Sequence, residues 1–268
     1  MASIHATAII DAKAEVSESA EIVPYCVIGP NVFIDDDVVL KSHVVVDGHT
    51  KIGAKTNVHP FVSLGLPPQH ARYKGEPSTL LIGKNNTIRE HVTMHPGTEH
   101  GRMETSIGDN CLFMVGSHVA HDCLVANDVI LTNSVALGGH VVVDEFAIIG
   151  GLSGIHQYVR VGKHSMIGGC SAVESDVIPY GSVKGNRARL SGLNVIGLRR
   201  RGFSREDIRS LRTAYGLLFS QGGNMSERIS EVADVFSDHP GVMDIVDFIR
   251  SDSSRAICQP LSSNGNGA

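Results

Sequence analysis

Residues 115–127 read VGSHVAHDCLVAN: His118 and His121 stand three apart, Asp122 follows the second histidine, and the neighbours are small or apolar. Imidazole is the side chain best suited to take a proton near neutral pH, and an adjacent carboxylate can fix its tautomer and stabilise its charged form. Groups this polar need partners if they are buried, and a plain surface does not explain their clustering. Three uses are open at this point: a general base with its orienting acid, a pair of metal ligands, or a solvated corner.

The elements that must position these groups follow from an internal repeat. Every sixth residue is apolar from Ile4 through Leu64, again at Ile82, Ile88 and Met94, and from Ile107 through Val173, 26 positions without a failure in a chain that is 42% hydrophobic. The residue four further on is small or slim, as at Ala8, Ala14, Cys26, Cys111, Ser117, Cys123 and Val135. Such hexads form one short strand and a turn each, and three of them make one coil of a triangular β-solenoid whose core takes the first and fifth residues. Nearly nine coils, at roughly 4.8 Å each, give a prism about 40 Å long. Two stretches break the register, 65–81 (GLPPQHARYKGEPSTLL) and 95–106 (HPGTEHGRMETS). Insertions in repeat proteins gather on one face and often build the site.

On this prism His121 is third in its hexad, His118 sixth, His140 fourth and His156 second, so none is a core position and removing His121 should leave no core cavity. Residues 18 apart share a place on neighbouring coils. His121 therefore stacks on Gly139 and Gln157, and Asp122 on His140 and Tyr158, which puts a base, an acid, a bare backbone and an amide on one edge.

The hexad domain spans 1–189. From 190 to 258 the pattern is helical, with Ser204 and Asp207 as an N-cap pair and apolar residues at Ile208, Leu211, Tyr215 and Leu218. The tail 259–268 is expected to be disordered. No apolar run is long enough to span a membrane and no signal peptide is evident. Five cysteines without a C-x-x-C suggest a reducing compartment, hence the cytoplasm.

The sequence resembles the UDP-N-acetylglucosamine O-acyltransferases of lipid A synthesis. The matching stretches include LKSHVVVDGHTKIG (40–53), YKGEPS (73–78), IREHVTMHPGT (88–98), SHVAHDC (117–123), GGHVVVDEFAIIGG (138–151), HQY (156–158), IGGCS (167–171) and LRRRGFSRE (198–206). The resemblance implies an all-β left-handed parallel β-helix with a small C-terminal α-helical domain. It also implies transfer of an (R)-3-hydroxyacyl chain from acyl carrier protein to the 3-position of UDP-N-acetylglucosamine. His121 would be the general base, Asp122 its orienting carboxylate and Gly139 the backbone donor to the oxyanion. His70, Arg72, Tyr73, His95, His118, His140, His156, Gln157, Asn194, Arg200 and Arg201 would surround the substrates, and Gly169 would stop the acyl chain. The resemblance implies a homotrimer too, and no cofactor beyond the carrier's acyl-phosphopantetheine.

Three positions depart from the family's pattern: His70 stands where many members have aspartate, Arg72 for lysine, and Ile196 for glutamate. The first leaves a 3-amino sugar, giving an amide, as an alternative acceptor. A zinc enzyme of the γ-class carbonic anhydrase kind is the more distant rival, and no third histidine falls in a convincing position for it. The net charge is −5, yet residues 184–212 carry nine basic residues against Glu206 and Asp207, a docking patch for an acidic carrier. Nucleic acid is not expected, since no aromatic interleaves the patch before Phe203.

Overall fold

The structure, a computed structural model, describes residues 3–251 and 253–261. Each hexad begins on a two-residue strand that joins the sixth residue of the preceding hexad to its own first residue, as in His118–Val119, Leu124–Val125 and Ile130–Leu131. The hexad strands pair in parallel with their equivalents one coil away: His118 pairs with Ala136, Ala136 with Gly154 and Gly154 with Ala172. Among the described residues this builds sheets of 11, 9 and 8 strands, the first, second and third faces of a left-handed triangular prism. The first and fifth residues fill it: Val119, Cys123, Val125, Val129, Leu131, Val135 and Leu137 are all buried. Each such aliphatic side chain contributes about 1.5–3 kcal/mol.

The fourth residue of a hexad turns the corner in the left-handed region, with φ of 61° at Asp122, 63° at His140, 65° at Tyr158 and 57° at His164. That conformation costs a side-chain-bearing residue roughly 1–2 kcal/mol and is best tolerated by Asn, Asp and His. The corner itself therefore recruits histidines, which explains His43 and His91 without any chemistry. His49 is fourth by spacing but lies in the strand His49–Ile52, because Gly48 takes the left-handed turn at φ 59°. Corner rings stack along the edges: Tyr25, His43, Phe61 and His91 are successively 5.0, 5.0 and 5.3 Å apart, and Phe146, His164 and Tyr180 are 4.8 and 5.6 Å apart.

The insertions are shorter than the register break suggests. Thr79–Ile82 and Glu104–Ile107 are four-residue strands, paired with each other and, through the former, with His49–Ile52. The irregular segments are thus 65–78 and 95–103, and both fold over the edge between the second and third faces.

The boundary expected at 190 falls inside an antiparallel hairpin, Gly181–Lys184 with Arg189–Leu193, which closes the first face. Four helices follow among the described residues: α1 (Val195–Arg200), α2 (Arg205–Leu218), α3 (Met225–Val235) and α4 (Pro240–Arg250). Ser204 and Asp207 form the expected capping box on α2, and Leu211, Leu218, Val232, Val242, Ile245 and Val246 are the buried residues that join α2, α3 and α4. Residues 259–261, expected as disordered tail, instead lie along the hairpin, where the Leu190 amide donates to the Gln259 carbonyl at 3.0 Å. The ladder bond explains their order; residues 262–268 lie outside the described part.

Candidate active site

His121 and Asp122 occupy outward places of their hexad, yet both are buried, 6% and 0% exposed. The solvated-corner alternative fails because the insertion 95–103 covers the edge. Thr98 N and Arg102 N donate to Asp122 Oδ1 at 3.1 and 2.7 Å, and Thr98 Oγ1 and His121 Nδ1 reach Oδ2 at 2.7 and 2.8 Å. The Asp122 amide donates to Thr105 Oγ1 at 2.8 Å. Gly101 permits this approach, since a Cβ there would lie 2.2 Å from the Asp122 carboxyl carbon. Burial alone would raise the Asp122 pKa, but the bonds from His121, Thr98 and Arg102 outweigh it and hold the carboxyl well below the usual range. An ionised carboxylate accepts from the Nδ1–H of His121, which leaves Nε2 as the acceptor.

Histidines crowd this base. The rings of His70 and His140 lie 4.9 and 5.1 Å from that of His121. His95 packs against His118 at 4.9 Å, and His118 Nδ1 bonds Thr93 Oγ1 at 2.7 Å. Burial, reinforced by His118 and His121, lowers the pKa of His95 to about 4; burial and then His121 lower that of His118, and burial dominates the lowering at His140. These rings are neutral at cellular pH, so they can bind an uncharged hydroxyl without competing for its proton.

The dyad heads a groove of about 450 Å³ along the second face. Its floor is the stack of sixth-place residues Ala136, Gly154 and Ala172, small enough to leave a trough, and His95, His118, His156 and Gln157 stand along it. Gly139 lies directly over the base: a Cβ there would sit 2.5 Å from His121 Cε1. Its carbonyl accepts from the Tyr158 amide at 3.1 Å, while its own N–H has no partner among the described residues, because third-place amides fall at the turn, outside the ladder. The predicted stacking of 121 on 139 and of 140 on 158 is therefore found, the latter as parallel rings 4.4 Å apart.

Other expected residues lie elsewhere in the chain. Tyr73 donates its hydroxyl to the Glu76 carbonyl at 3.2 Å, and with Arg72, which is exposed, it stays out of the groove lining. Asn194 caps α1 and donates Nδ2 to the His164 carbonyl at 2.9 Å. Arg201 donates to the Phe146 carbonyl at 2.9 Å and covers its ring, with burial lowering its pKa. Arg200 is exposed. Residues 194, 200 and 201 thus belong to the edge between the third and first faces. Gly169 sits on Gly151 at the edge between the first and second faces, outside the groove lining. Sequence reasoning missed Gln69, which lines the groove, and Thr98, Arg102 and Thr105, which hold the dyad.

His121, Asp122 and His140 bring ligand atoms within 4.8 Å of one another, which spacing alone would allow for a cation. Both Asp122 oxygens, however, already accept N–H or O–H donors, so the carboxylate serves the imidazole rather than a metal.

Left-handed coils of hexads, a carboxylate-held base and a trough beside a bare glycine amide define a hexapeptide-repeat acyltransferase. The family model for UDP-N-acetylglucosamine O-acyltransferase, domain 2, matches residues 176–258. The acyl-[acyl-carrier-protein]–UDP-N-acetylglucosamine O-acyltransferases of Caulobacter vibrioides and Paracoccus denitrificans are 52% and 49% identical over 209 and 203 residues. These alignments cover 78% and 76% of this chain and 80% and 77% of those proteins. The crystal structure of UDP-N-acetylglucosamine O-acyltransferase from Moraxella catarrhalis superposes with a TM-score of 0.93 at 41% identity, over 96% of this chain and 100% of that one. The chain belongs to the acyl-[acyl-carrier-protein]–UDP-N-acetylglucosamine O-acyltransferase family.

Proposed function

We propose that this chain transfers an (R)-3-hydroxyacyl group from acyl carrier protein to the 3-hydroxyl of UDP-N-acetylglucosamine, the first step of lipid A biosynthesis, with His121 as general base. The observation that carries this is the His121–Asp122 bond of 2.8 Å at the head of the groove, beneath Gly139. His121 Nε2 takes the proton of the sugar hydroxyl as its oxygen attacks the thioester carbon. The free N–H of Gly139 receives the developing oxyanion, a donor of the kind worth about 10²–10³ in rate. On collapse the C–S bond breaks and His121 returns the proton to the thiolate of the phosphopantetheine arm. Asp122 stays ionised throughout. His70, His95, His118, His140, His156 and Gln157 would line the path of sugar and acyl arm, and the trough would take the alkyl chain at about 0.8 kcal/mol per buried methylene. The relatives are named for O-acylation, which favours the hydroxyl over the amino acceptor.

From the 65–78 insertion Arg72 and Tyr73 would approach the sugar on the dyad's own edge, whereas Asn194, Arg200 and Arg201 would form a second half-site for the nucleotide. The latter three lie away from the dyad on one chain, so a neighbouring copy must bring them to it, and a three-edged prism offers a closed ring of three such clefts. Five free thiols fit a reducing cytoplasm, and no described helix is long and apolar enough to cross a membrane. No cofactor beyond the carrier's prosthetic arm is required. The test is His121→Ala: transfer should fall by at least about 10³-fold with the oligomer intact, and Asp122→Asn by roughly 10²-fold. Retention of more than a tenth of the activity by His121→Ala sinks the assignment.

A further inference from the structure

Arg255 reaches back from the segment after α4 to the wall of the groove. Its Nη2 lies 2.6 Å from His156 Nδ1, and its Nε donates to the Gln157 carbonyl at 3.0 Å. His156 and Gln157 line the groove, whereas Arg255 does not. The segment is pinned on both sides of the arginine by one buried side chain and its backbone. Ser253 Oγ donates to Asp176 Oδ2 at 2.6 Å, the Asp176 amide donates to the Ala256 carbonyl at 2.8 Å, and the Cys258 amide donates to the Asp176 carbonyl at 2.8 Å. Asp176 is fully buried and also holds Arg160 Nε at 2.7 Å. The guanidinium therefore arrives at the groove wall on a fixed mount.

A guanidinium has donors only. His156 Nδ1 also lies 3.3 Å from the Gln157 carbonyl, and an Nδ1–H could donate there. The arginine forbids that arrangement, because two N–H groups cannot face each other at 2.6 Å. Nδ1 must accept, so a neutral His156 carries its proton on Nε2.

We propose that Arg255 is a positioning residue that fixes the tautomer of His156, turning the groove-facing edge of that ring into an N–H donor for an oxygen of the acyl substrate. The same fork occupies the Gln157 carbonyl through Nε. The inference rests on the groove being the acyl site, yet its first test does not depend on catalysis.

In the full-length protein labelled with ¹⁵N-histidine, with His156 assigned by its loss in His156→Ala, the ring under alkaline conditions should show a protonated Nε2 and an unprotonated Nδ1. The reverse pattern in the unaltered protein overturns the proposal, whatever the fate of any variant. Arg255→Met should mix the two tautomers and raise KM for a 3-hydroxyacyl donor about tenfold with a smaller change in kcat. Arg255→Lys, whose ammonium keeps N–H donors but lacks the planar fork, should recover part of that loss. In a His156→Ala background Arg255→Met should add less than a further twofold loss. An unchanged tautomer in Arg255→Met, or the same tenfold loss without His156, would show a merely structural arginine and reject the inference. Full activity of His121→Ala would instead remove the catalytic reading and leave the tautomer result standing.

Discussion

A methyl group at position 139 would lie 2.5 Å from His121 Cε1 and 2.7 Å from Nε2, distances that real contacts never show. Gly139→Ala keeps its amide N–H, so any loss it causes reports the displaced base and not the missing oxyanion donor. We expect kcat to fall about 10²-fold or more with the melting temperature within a few degrees, and an alanine variant of normal kcat would mean that the imidazole is not held where it appears. This pairing was legible in the sequence, because an 18-residue step is fixed by the ladder and needs no knowledge of side chains. The burial of His121 and Asp122 was not. Thr98, Arg102 and Thr105 reach the carboxylate from a segment without periodicity, where only backbone turns decide which donors point inward.

At the scale of the strand and corner, the hexad dictates more than the core. Because corner backbones favour Asn, Asp and His, a histidine at a fourth place was a poor guide to chemistry, and stacking order had to separate His140 from His43, His91 and His164. His164 shows the energetic side. Burial, then the neighbouring Arg201 and Lys163, lower its pKa to about 4, with Asp244 opposing, and its ring lies between Phe146 and Tyr180. The unfolded chain binds a proton on such a residue near pH 6.5, whereas the folded one does not until about pH 4. Stability is therefore lost as pH falls through that window, and His95, shifted to about 4 as well, adds to the loss. His164→Phe, a residue the same corner accepts at Phe146 with φ 60°, should flatten the fall in melting temperature between pH 6.5 and pH 4. An identical slope would exclude His164 from the effect. On the edge between the first and second faces, a Cβ at Gly169 would press on the Gly151 carbonyl oxygen at 3.3 Å, a contact that the backbone must relieve by a few tenths of an ångström. If a neighbouring copy's acyl chain ends there, Gly169→Met should shift preference to donors about four carbons shorter, and an unchanged chain-length profile removes Gly169 as the stop.

Over the whole molecule, the helical domain places the basic residues apart from the dyad. Arg199, Arg205, Arg209 and Arg212 surround a hollow of about 820 Å³ between α1 and α2, with Phe203 and Ile208 at its apolar part. Arg201, counted with this patch from sequence, is instead engaged on the Phe146 carbonyl. Charge reversal at Arg209 and Arg212 should raise KM for the acylated carrier about tenfold at low salt, with the difference shrinking as salt screens it. A KM that ignores both charge and salt would move the docking face elsewhere. The order of the solenoid was legible because each coil repeats its neighbour; α1 and the hairpin end were not, since a single short turn leaves no period.

A stack in which each coil touches only the next comes apart from its ends, as a column of coins does. His118–Val119 and Ala136–Leu137 are the sixth and seventh of nine strands on their face, so the dyad rides on interior rungs with coils on either side. Fraying at a terminal coil must propagate through several interfaces before it disturbs His121. Amide hydrogens from 118 to 140 should accordingly exchange last, with protection falling stepwise towards the first coils, and catalysis should survive openings that already expose Ile10 or Val16 to solvent.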